Sequence, residues 1–436
     1  MRWIPEDRPI ARPLLLAGLA CSFALAFAAP SAAQSPPSPQ QAIEKMKQFK
    51  VATTDLNLPA VPQEGRNATA ISANLKRIKL PPGFKIELFA VVPDARHMAV
   101  APSTNMVFVG TRKTTLWAVT DRNSDGIADE VKAFAPSLKF SNPNGVCWTK
   151  DGFLVVAEHN RILNFPAAEF FYEGPDVAVI EVVPQGQLIP TDEESFNHGA
   201  RTCRVGPDGK LYVTLGQPFN VPAREKLEKY AKYGIGGIIR LDPFTGSGRE
   251  VFATGIRNSV GQEFNPKDNS LWFTDNQTDG MGDDIPAGEI NRADKPGMFF
   301  GYPFIQGKTR ITEFGYDKDP VPENTTAAEV LMDAHAADLG MTFYTGKQFP
   351  QKYHGALFSA QHGSWNRTKP IGARVMVTYL NADGRAEKTE PFAEGWLDPD
   401  TNTYRGRPVD VAMMKDGSLL VSDDYAGAIY RISYQQ

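Results

Sequence analysis

His198 stands in the stretch FNHGARTCRVGPDGKLYVTLG, residues 196–216, just ahead of a run of β-formers. A neutral imidazole in that place is a general-base candidate, because its proton affinity lies near working pH. The same placement also suits a structural histidine bonded to a backbone carbonyl. In GIRNSVGQEFNP, residues 255–266, Arg257 sets a guanidinium beside the amide of Asn258, again ahead of an apolar run. Arginine presents paired donors to a carboxylate or to adjacent carbonyl oxygens. After that run, LWFTD, comes a Gly-broken loop carrying Asn276, Gln277, Thr278 and Asp279, then Asp283, Asp284 and Glu289. Crowded carboxylates and amides suit a hard cation such as calcium, and they equally suit a solvated acidic loop.

Further cations recur at comparable places: Arg112 after the first apolar run, Arg367 and Lys369 after Trp365, and Arg405 and Arg407 before the last run. One such arginine is ordinarily a surface ion pair worth under ~1 kcal/mol. Several gathered at one place would repel one another unless they face an anion, so the set points to an acidic ligand. Other chemistries lack their signatures. There are six histidines but no H-E-x-x-H or paired-cysteine spacing for zinc. Gly363-Ser364-Trp365 lacks the trailing glycine of a nucleophile elbow, and no G-x-G-x-x-G opens a helix after a strand. DRNSDGIADE, residues 121–130, has the start of a calcium loop but Lys132 where the bidentate glutamate belongs, so it reads mainly as a hairpin with an Asp-Gly turn.

The elements that would position these residues repeat. A turn of Pro, Asp, Asn or Gly precedes a run of β-formers ending in polar residues at APSTNMVFVGTR (101–112), KDGFLVVAEHN (150–160), GPDGKLYVTLGQ (206–217), NPKDNSLWFTDN (265–276), YHGALFSAQHG (353–363) and KDGSLLVSDDYAG (415–427). Repeats of about 40–50 residues built on short strands and tight turns signal a β-propeller, and longer spacings leave room for insertions. The expected fold is therefore all-β, a six-bladed β-propeller, with a large sandwich as the structural alternative. No helical pattern alternates with the strands, which argues against a parallel α/β sheet. In a propeller the inner strands line a central channel and their loops gather at one mouth, where function usually sits.

The 436 residues carry a formal charge of −4 and 42% hydrophobic residues, so nothing global favours a nucleic-acid partner. Arg2, Arg8 and Arg12 precede an apolar run, residues 14–29, and a small-residue site at Ser31-Ala32-Ala33; residues 1–33 read as an export signal, with Gln34 the mature start. No later segment reaches the ~20 apolar residues of a membrane-spanning helix. Residues 34–79 read as a Pro-rich linker and N-terminal extension, with a short helix over residues 41–49 and no clear period over 51–78; residues 80–436 read as the propeller. Cys147 and Cys203 fall at matching places in successive repeats. Bridging needs Cα atoms within about 7 Å, met only very near the propeller axis, so two free, buried thiols are expected.

HGARTCRVGPDGKLYVTLG, GIRNSVGQEFNP and LWFTDNQTDGMGDD, together with HGSWNR (362–367) and TYRGRPVDV (403–411), resemble the soluble pyrroloquinoline quinone (PQQ) dependent sugar dehydrogenases, and most closely the sorbosone/pyranose dehydrogenase branch. The resemblance covers residues 80–435. It implies a six-bladed propeller holding PQQ and calcium at one mouth, oxidation of an aldose C1 hydroxyl or a related sugar aldehyde, and an external electron acceptor, a cytochrome or a quinone. It makes His198 the general base and Arg257-Asn258 the pair beside the quinone. Arg405 and Arg407 would bind PQQ carboxylates, with Arg112, His362, Arg367 and Lys369 as further cofactor contacts. Calcium would be held near Gln277, Thr278 and Asp279, where the family often has Gly-Pro. The tricarboxylate cofactor explains the excess of cations. Two other readings stay open: a calcium-dependent sugar lactonase using Asp275, Asp284 and Glu289, and a non-catalytic binding propeller.

Overall fold

A computed structural model describes residues 49–53, 58–173 and 176–435 of the chain. Six sheets follow one another: residues 98–134 form blade 1, 145–183 blade 2, 203–254 blade 3, 262–332 blade 4, 338–394 blade 5 and 408–434 blade 6. The first strands of the blades are Met98–Val100, Gly145–Trp148, Cys203–Val205, Gln262–Phe264, Asp338–Phe343 and Pro408–Met413. Each touches its counterparts in both neighbouring blades, so together they form an unbroken ring around a channel. This is the six-bladed β-propeller. Its ring is closed by strand Phe84–Val91, which precedes blade 1 in the chain yet pairs antiparallel with Ala428–Tyr434 as the outer edge of blade 6. Phe84 fastens that joint, with ring centroids of Phe349, Tyr434 and Phe392 at 4.7, 4.9 and 5.0 Å.

The repeated turn-and-run signature is the hairpin into each blade's second strand, rather than the innermost strand. Within Pro207-Asp208-Gly209, Gly209 takes φ 78° and donates its N–H to Gly206 O at 2.9 Å, a left-handed turn that favours glycine. The second strands Leu211–Leu215, Leu271–Asp275, Leu357–Gln361 and Leu419–Asp423 are buried at every residue. They lie between two strands of their own sheet and under both neighbouring blades, so they read as continuous apolar runs. The innermost strands are short and mixed, which hides them in the sequence.

That geometry corrects the expectation for the cysteines. Cys147 and Cys203 lie on the innermost strands of blades 2 and 3, near the axis, with Cα atoms 5.8 Å apart, and they form a disulfide. Residues 121–130 form the expected hairpin; Asp121 spends its carboxylate on the N–H groups of Asp125 and Gly126 at 3.2 and 3.0 Å. The aperiodic stretch contains a helix the sequence reading missed, Arg66–Leu75, whose Ala68, Ile71 and Leu75 join the core cluster of Phe358, Val375 and Trp396. Strand Phe49–Thr53 adds a fifth strand to blade 2 by pairing with Asp176–Val183. The export signal and the helix read over residues 41–49 lie outside the described residues, apart from Phe49. Among the described residues no helix is long and apolar enough to cross a membrane.

Candidate functional site

A cavity of about 200 Å³ opens at the end of the channel where the innermost strands begin. Its walls are loops just ahead of first strands and just after second strands. They bring together Arg96 and Arg112 of blade 1, His198 ahead of blade 3, Arg257 and Asn258 ahead of blade 4, and His335 and His362 around blade 5.

His198 adopts φ 54°, a conformation that a non-glycine residue holds only when its surroundings enforce it. The enforcement is visible. Its Nδ1 lies 2.6 Å from Gln217 O, and its own carbonyl accepts from Arg201 Nη1 at 3.1 Å. Gly216 is required beneath it, since a Cβ there would fall 2.4 Å from Asn258 Oδ1 and 2.7 Å from His198 O. A carbonyl can only accept, so Nδ1 carries the proton and Nε2 keeps its lone pair. Burial, then the charge of Arg257 and further Arg201 and Arg112, push the imidazole pKa down to about 3, against the Gln217 bond. His198 is therefore neutral at ordinary pH, with a free acceptor nitrogen at the cavity wall.

Arg257 is 2% exposed. Its guanidinium bonds Asp279 and Asn220 Oδ1 at 2.8 Å each, Asn220 O at 3.0 Å and Asn276 O at 3.3 Å. Of the five N–H donors of a guanidinium, one remains for a ligand. The buried carboxylate of Asp275 is the anchor below, accepting the backbone N–H groups of Arg257 and Asn258 at 3.0 and 2.7 Å. Burial raises its pKa to about 6 against those bonds. Arg112 differs: among the described residues its guanidinium makes no hydrogen bond to the chain and lies 4.9 Å over the Phe196 ring. Arg96, 3% exposed, donates to Asn144 Oδ1 at 2.7 Å and to Asp424 at 2.5 Å. The other oxygen of Asp424 meets His362 Nε2 at 2.8 Å. Against burial, His362 and Arg96 hold Asp424 well below the usual carboxylate range.

The oxygen-rich loop divides. Gln277 and Asp279 line the cavity; Thr278 does not, its N–H and hydroxyl both bonding Gln306 Oε1 at 2.8 and 3.0 Å. Asp279 is held by Arg257 and by Asn366 Nδ2 at 2.6 Å. Asn258 and Asn366 each keep a buried side-chain oxygen without a partner among the described residues. Among the described residues no three His, Cys, Asp or Glu side chains gather as a metal cluster. A hard cation would therefore draw on one carboxylate, Asp279, and on amide and backbone oxygens, a donor set that suits calcium and not zinc. Three guanidinium groups on one small cavity suit a ligand with several carboxylates.

Comparison with known proteins agrees with this architecture. Residues 78–435 match the family described as TrAA12-like. The chain belongs to the TrAA12-like family. An uncharacterised protein of Borreliella burgdorferi is 30% identical over 371 residues, covering 82% of this chain and 91% of that one. The PQQ-dependent pyranose dehydrogenase of Coprinopsis cinerea is 26% identical and matches 56% of this chain but 41% of its own length. The aldose sugar dehydrogenase YliI of Escherichia coli is 28% identical, with 54% of this chain and 60% of that protein covered. This chain thus spans less than two thirds of either named dehydrogenase. In fold, it matches a Trichoderma reesei AA12 enzyme with TM-score 0.66 at 18% identity (82% of this chain, 98% of that one) and the holo PQQ domain of the Coprinopsis pyranose dehydrogenase with TM-score 0.65 at 17% (82% and 97%).

Four of the expected cofactor contacts of this TrAA12-like chain do not line the cavity. Arg367 braces the insertion of blade 4, donating to the carbonyls of Asp283 and Ala334 and to Asp284. Lys369 is exposed. Arg405 turns outward to Asp398 at 3.5 Å. Arg407 lies just behind the wall, donating to the carbonyls of His362 and Gly363 and covering the Tyr404 ring, so it fixes the His362 backbone. Nor do Asp275, Asp284 and Glu289 ring a common point: the first anchors backbone N–H groups, the second is exposed beside Arg367, and the third bonds Asn291 and the Gly307 N–H. Sequence reasoning passed over Arg96, His335, Asn366 and Asp424. Arg96 and Asp424 carried a usable signal: Asp424 lies at the polar end of a repeat, as Arg112 does, and Arg96 stands just ahead of one, as Arg257 does.

Proposed function

We propose that the chain is a PQQ- and calcium-dependent sugar dehydrogenase, oxidising the anomeric hydroxyl of an aldose or a related sugar aldehyde. The observation that carries this is one cavity holding a neutral histidine with a free Nε2 and three guanidinium groups. Arg96, Arg112 and the remaining donor of Arg257 would hold the cofactor's carboxylates and quinone oxygens, and Asp279 with the Asn258 and Asn366 amide oxygens would face calcium. When bound, PQQ supplies a two-electron acceptor polarised by the metal. His198 Nε2 takes the proton of the substrate hydroxyl, and the Gln217 carbonyl holds the ring in the tautomer that permits it. The exposed side chains at the lip, Trp365 (76%) and Phe196 (64%), offer flat apolar faces to a sugar ring. An external acceptor, a cytochrome or a quinone, would remove the electrons. The Cys147–Cys203 disulfide suits the exported setting read from residues 1–33.

The test is titration of metal-stripped protein with PQQ, with and without calcium, followed by dye reduction on a panel of aldoses. Saturable, calcium-dependent binding and sugar-driven bleaching of the quinone are expected. No binding at micromolar PQQ would overturn the reading.

A further inference from the structure

Arg201 does not line the redox cavity, yet it is 1% exposed and carries a full charge. Among the described residues its guanidinium bonds no carboxylate. It bonds backbone carbonyls: Nε donates to His159 O at 3.0 Å, and Nη1 to His198 O at 3.1 Å and Gly216 O at 3.4 Å. Burying a charge without a counter-charge is expensive, and neutral acceptors offset only part of that cost. Burial pushes the guanidinium pKa down to about 10, with Glu194 opposing from further off. A methionine would fill the volume without the penalty, but it could not hold the carbonyls.

Two of those carbonyls frame the general base. The bond that sets the His198 tautomer runs from its Nδ1 to Gln217 O, so it needs residues 198 and 217 at a fixed separation. Nη1 has two N–H groups. One goes to the His198 carbonyl, the other to the carbonyl of the peptide joining Gly216 to Gln217. One nitrogen thus ties both sides of the tautomer-setting bond together, and it holds His198 at its φ of 54°. The clamp is itself supported from behind. Arg201 O accepts from Asn144 Nδ2 at 2.7 Å, and Asn144 Oδ1 accepts from Arg96 Nε at 2.7 Å. Arg96, Asn144 and Arg201 stand just ahead of the first strands of blades 1, 2 and 3, so this chain of bonds runs around the channel. The charge of Arg201 lowers the proton affinity of His198, which does not help a base. Its contribution is therefore geometric.

We infer that Arg201 is a positioning residue: its planar fork of donors holds the His198 imidazole in the Nδ1–H tautomer and leaves Nε2 free to take the substrate proton. The kinetic consequence rests on the dehydrogenase reading; the clamp itself does not.

The test is Arg201→Lys, which keeps the charge and most of the length but replaces the fork by one ammonium. In the full chain without cofactor, imidazole ¹⁵N NMR should show His198 as one tautomer in the parent and as a mixture of both in the variant. In the PQQ-loaded enzyme kcat should fall about ten-fold or more, with sugar KM and PQQ affinity unchanged. In a His198→Ala background the same substitution should cost nothing further per PQQ-binding molecule, because two residues acting through one group are not additive. A merely structural role would instead reduce the PQQ-binding fraction in both backgrounds and leave kcat per binding molecule unchanged, and that result overturns the inference. So does an equal kcat loss in both backgrounds. If Arg201→Lys does not fold, Asn144→Ala removes the support behind the clamp, and its imidazole signals decide. A parent-like single tautomer in whichever variant folds overturns the clamp. Because the NMR arm needs neither PQQ nor sugar, it reads the clamp even if the parent binds no PQQ and the dehydrogenase reading fails.

Discussion

The same six innermost strands build both ends of the channel, and the ends share almost no chemistry. At the end where those strands begin, loops bring three arginines, three histidines and Asp279 around about 200 Å³. At the other end a cavity of about 390 Å³ is lined by strand residues themselves, among them Val100, Val146, Trp148, Phe343 and Met413, and by Cys147 of the disulfide; its ion pair, Arg204–Glu263 at 2.9 Å, is partly exposed. Hairpins as tight as Pro207-Asp208-Gly209 leave no chain at that end to carry polar groups inward. The loops at the first end are longer and irregular, and they can hold side chains in conformations such as the φ of 54° at His198. One end is built for a site and the other for closure, so damage at the two ends should separate activity from stability.

The largest expected effect belongs to the first end. His198→Ala should lower kcat about 10²–10⁴-fold while leaving PQQ affinity nearly unchanged, since the imidazole makes one hydrogen bond to the chain, to the Gln217 carbonyl. Steady-state kinetics beside equilibrium PQQ binding reads this. Unchanged turnover would move the base to His335 or His362, which share the cavity.

The mirror experiment is at the other end. Replacing Cys147 and Cys203 together by alanine opens a loop of 56 residues in sequence separation, and should lower unfolding free energy by about 4 kcal/mol on the loop-entropy scale. It should leave kcat per folded molecule unchanged. Denaturant unfolding and active-site titration together check it, and a parallel loss of kcat would break the separation of the two ends.

How much of this was readable beforehand follows the same divide. The blades announced themselves because each second strand is a continuous apolar run after a Gly, Asn or Asp turn. His198 and the Arg257-Asn258 pair were legible because each sits immediately ahead of such a hairpin. The innermost strands, three to six residues long with polar members, were not. Hence Cys147 and Cys203 could not be placed close to the axis. The cluster of Arg96, His362 and Asp424 joins residues hundreds of positions apart, 328 between Arg96 and Asp424, and no local pattern records such a pairing. Arg405 was expected at the cofactor from the resemblance alone; in the structure the hairpin formed by Leu397–Asp398 and Thr403–Tyr404 offers it Asp398, and it turns to that carboxylate. Helix Arg66–Leu75 was hidden because it lacks a capping side chain and buries little beyond Ala68, Ile71 and Leu75.

That contrast between arginines gives a third, smaller test. Arg112→Ala removes a guanidinium with no hydrogen bond to the described residues, and should weaken PQQ binding about ten- to hundred-fold, the worth of one charge-assisted hydrogen bond. Arg405→Ala should leave PQQ affinity unchanged. Equal losses in both would mean that the cofactor lies nearer blade 6 than the cavity wall implies.

The smallest effect is one of acid sensitivity, and it too should localise to the first end. Folded, His198 has its pKa lowered to about 3 by burial and by Arg257; unfolded, it returns to the ordinary 6.5. Above pH 6.5 both states are neutral and the residue contributes nothing to pH dependence. As pH falls from 6.5 toward 3, the unfolded chain takes up a proton that the folded one refuses, so stability is lost in that window. In cofactor-free protein, His198→Gln should therefore become progressively more stable than the parent below pH 6.5, by about 1–2 kcal/mol near pH 5, with no difference at pH 8. Melting curves across that range decide it. The acids Asp275, Glu289 and Asp338, raised by burial to about 6, 7 and 7, shift the parent and the variant alike, so the difference between the two isolates the histidine. A difference that persists at pH 8 would show that the imidazole packs rather than titrates. His198 would then belong with the closing end of the propeller in kind, though not in place.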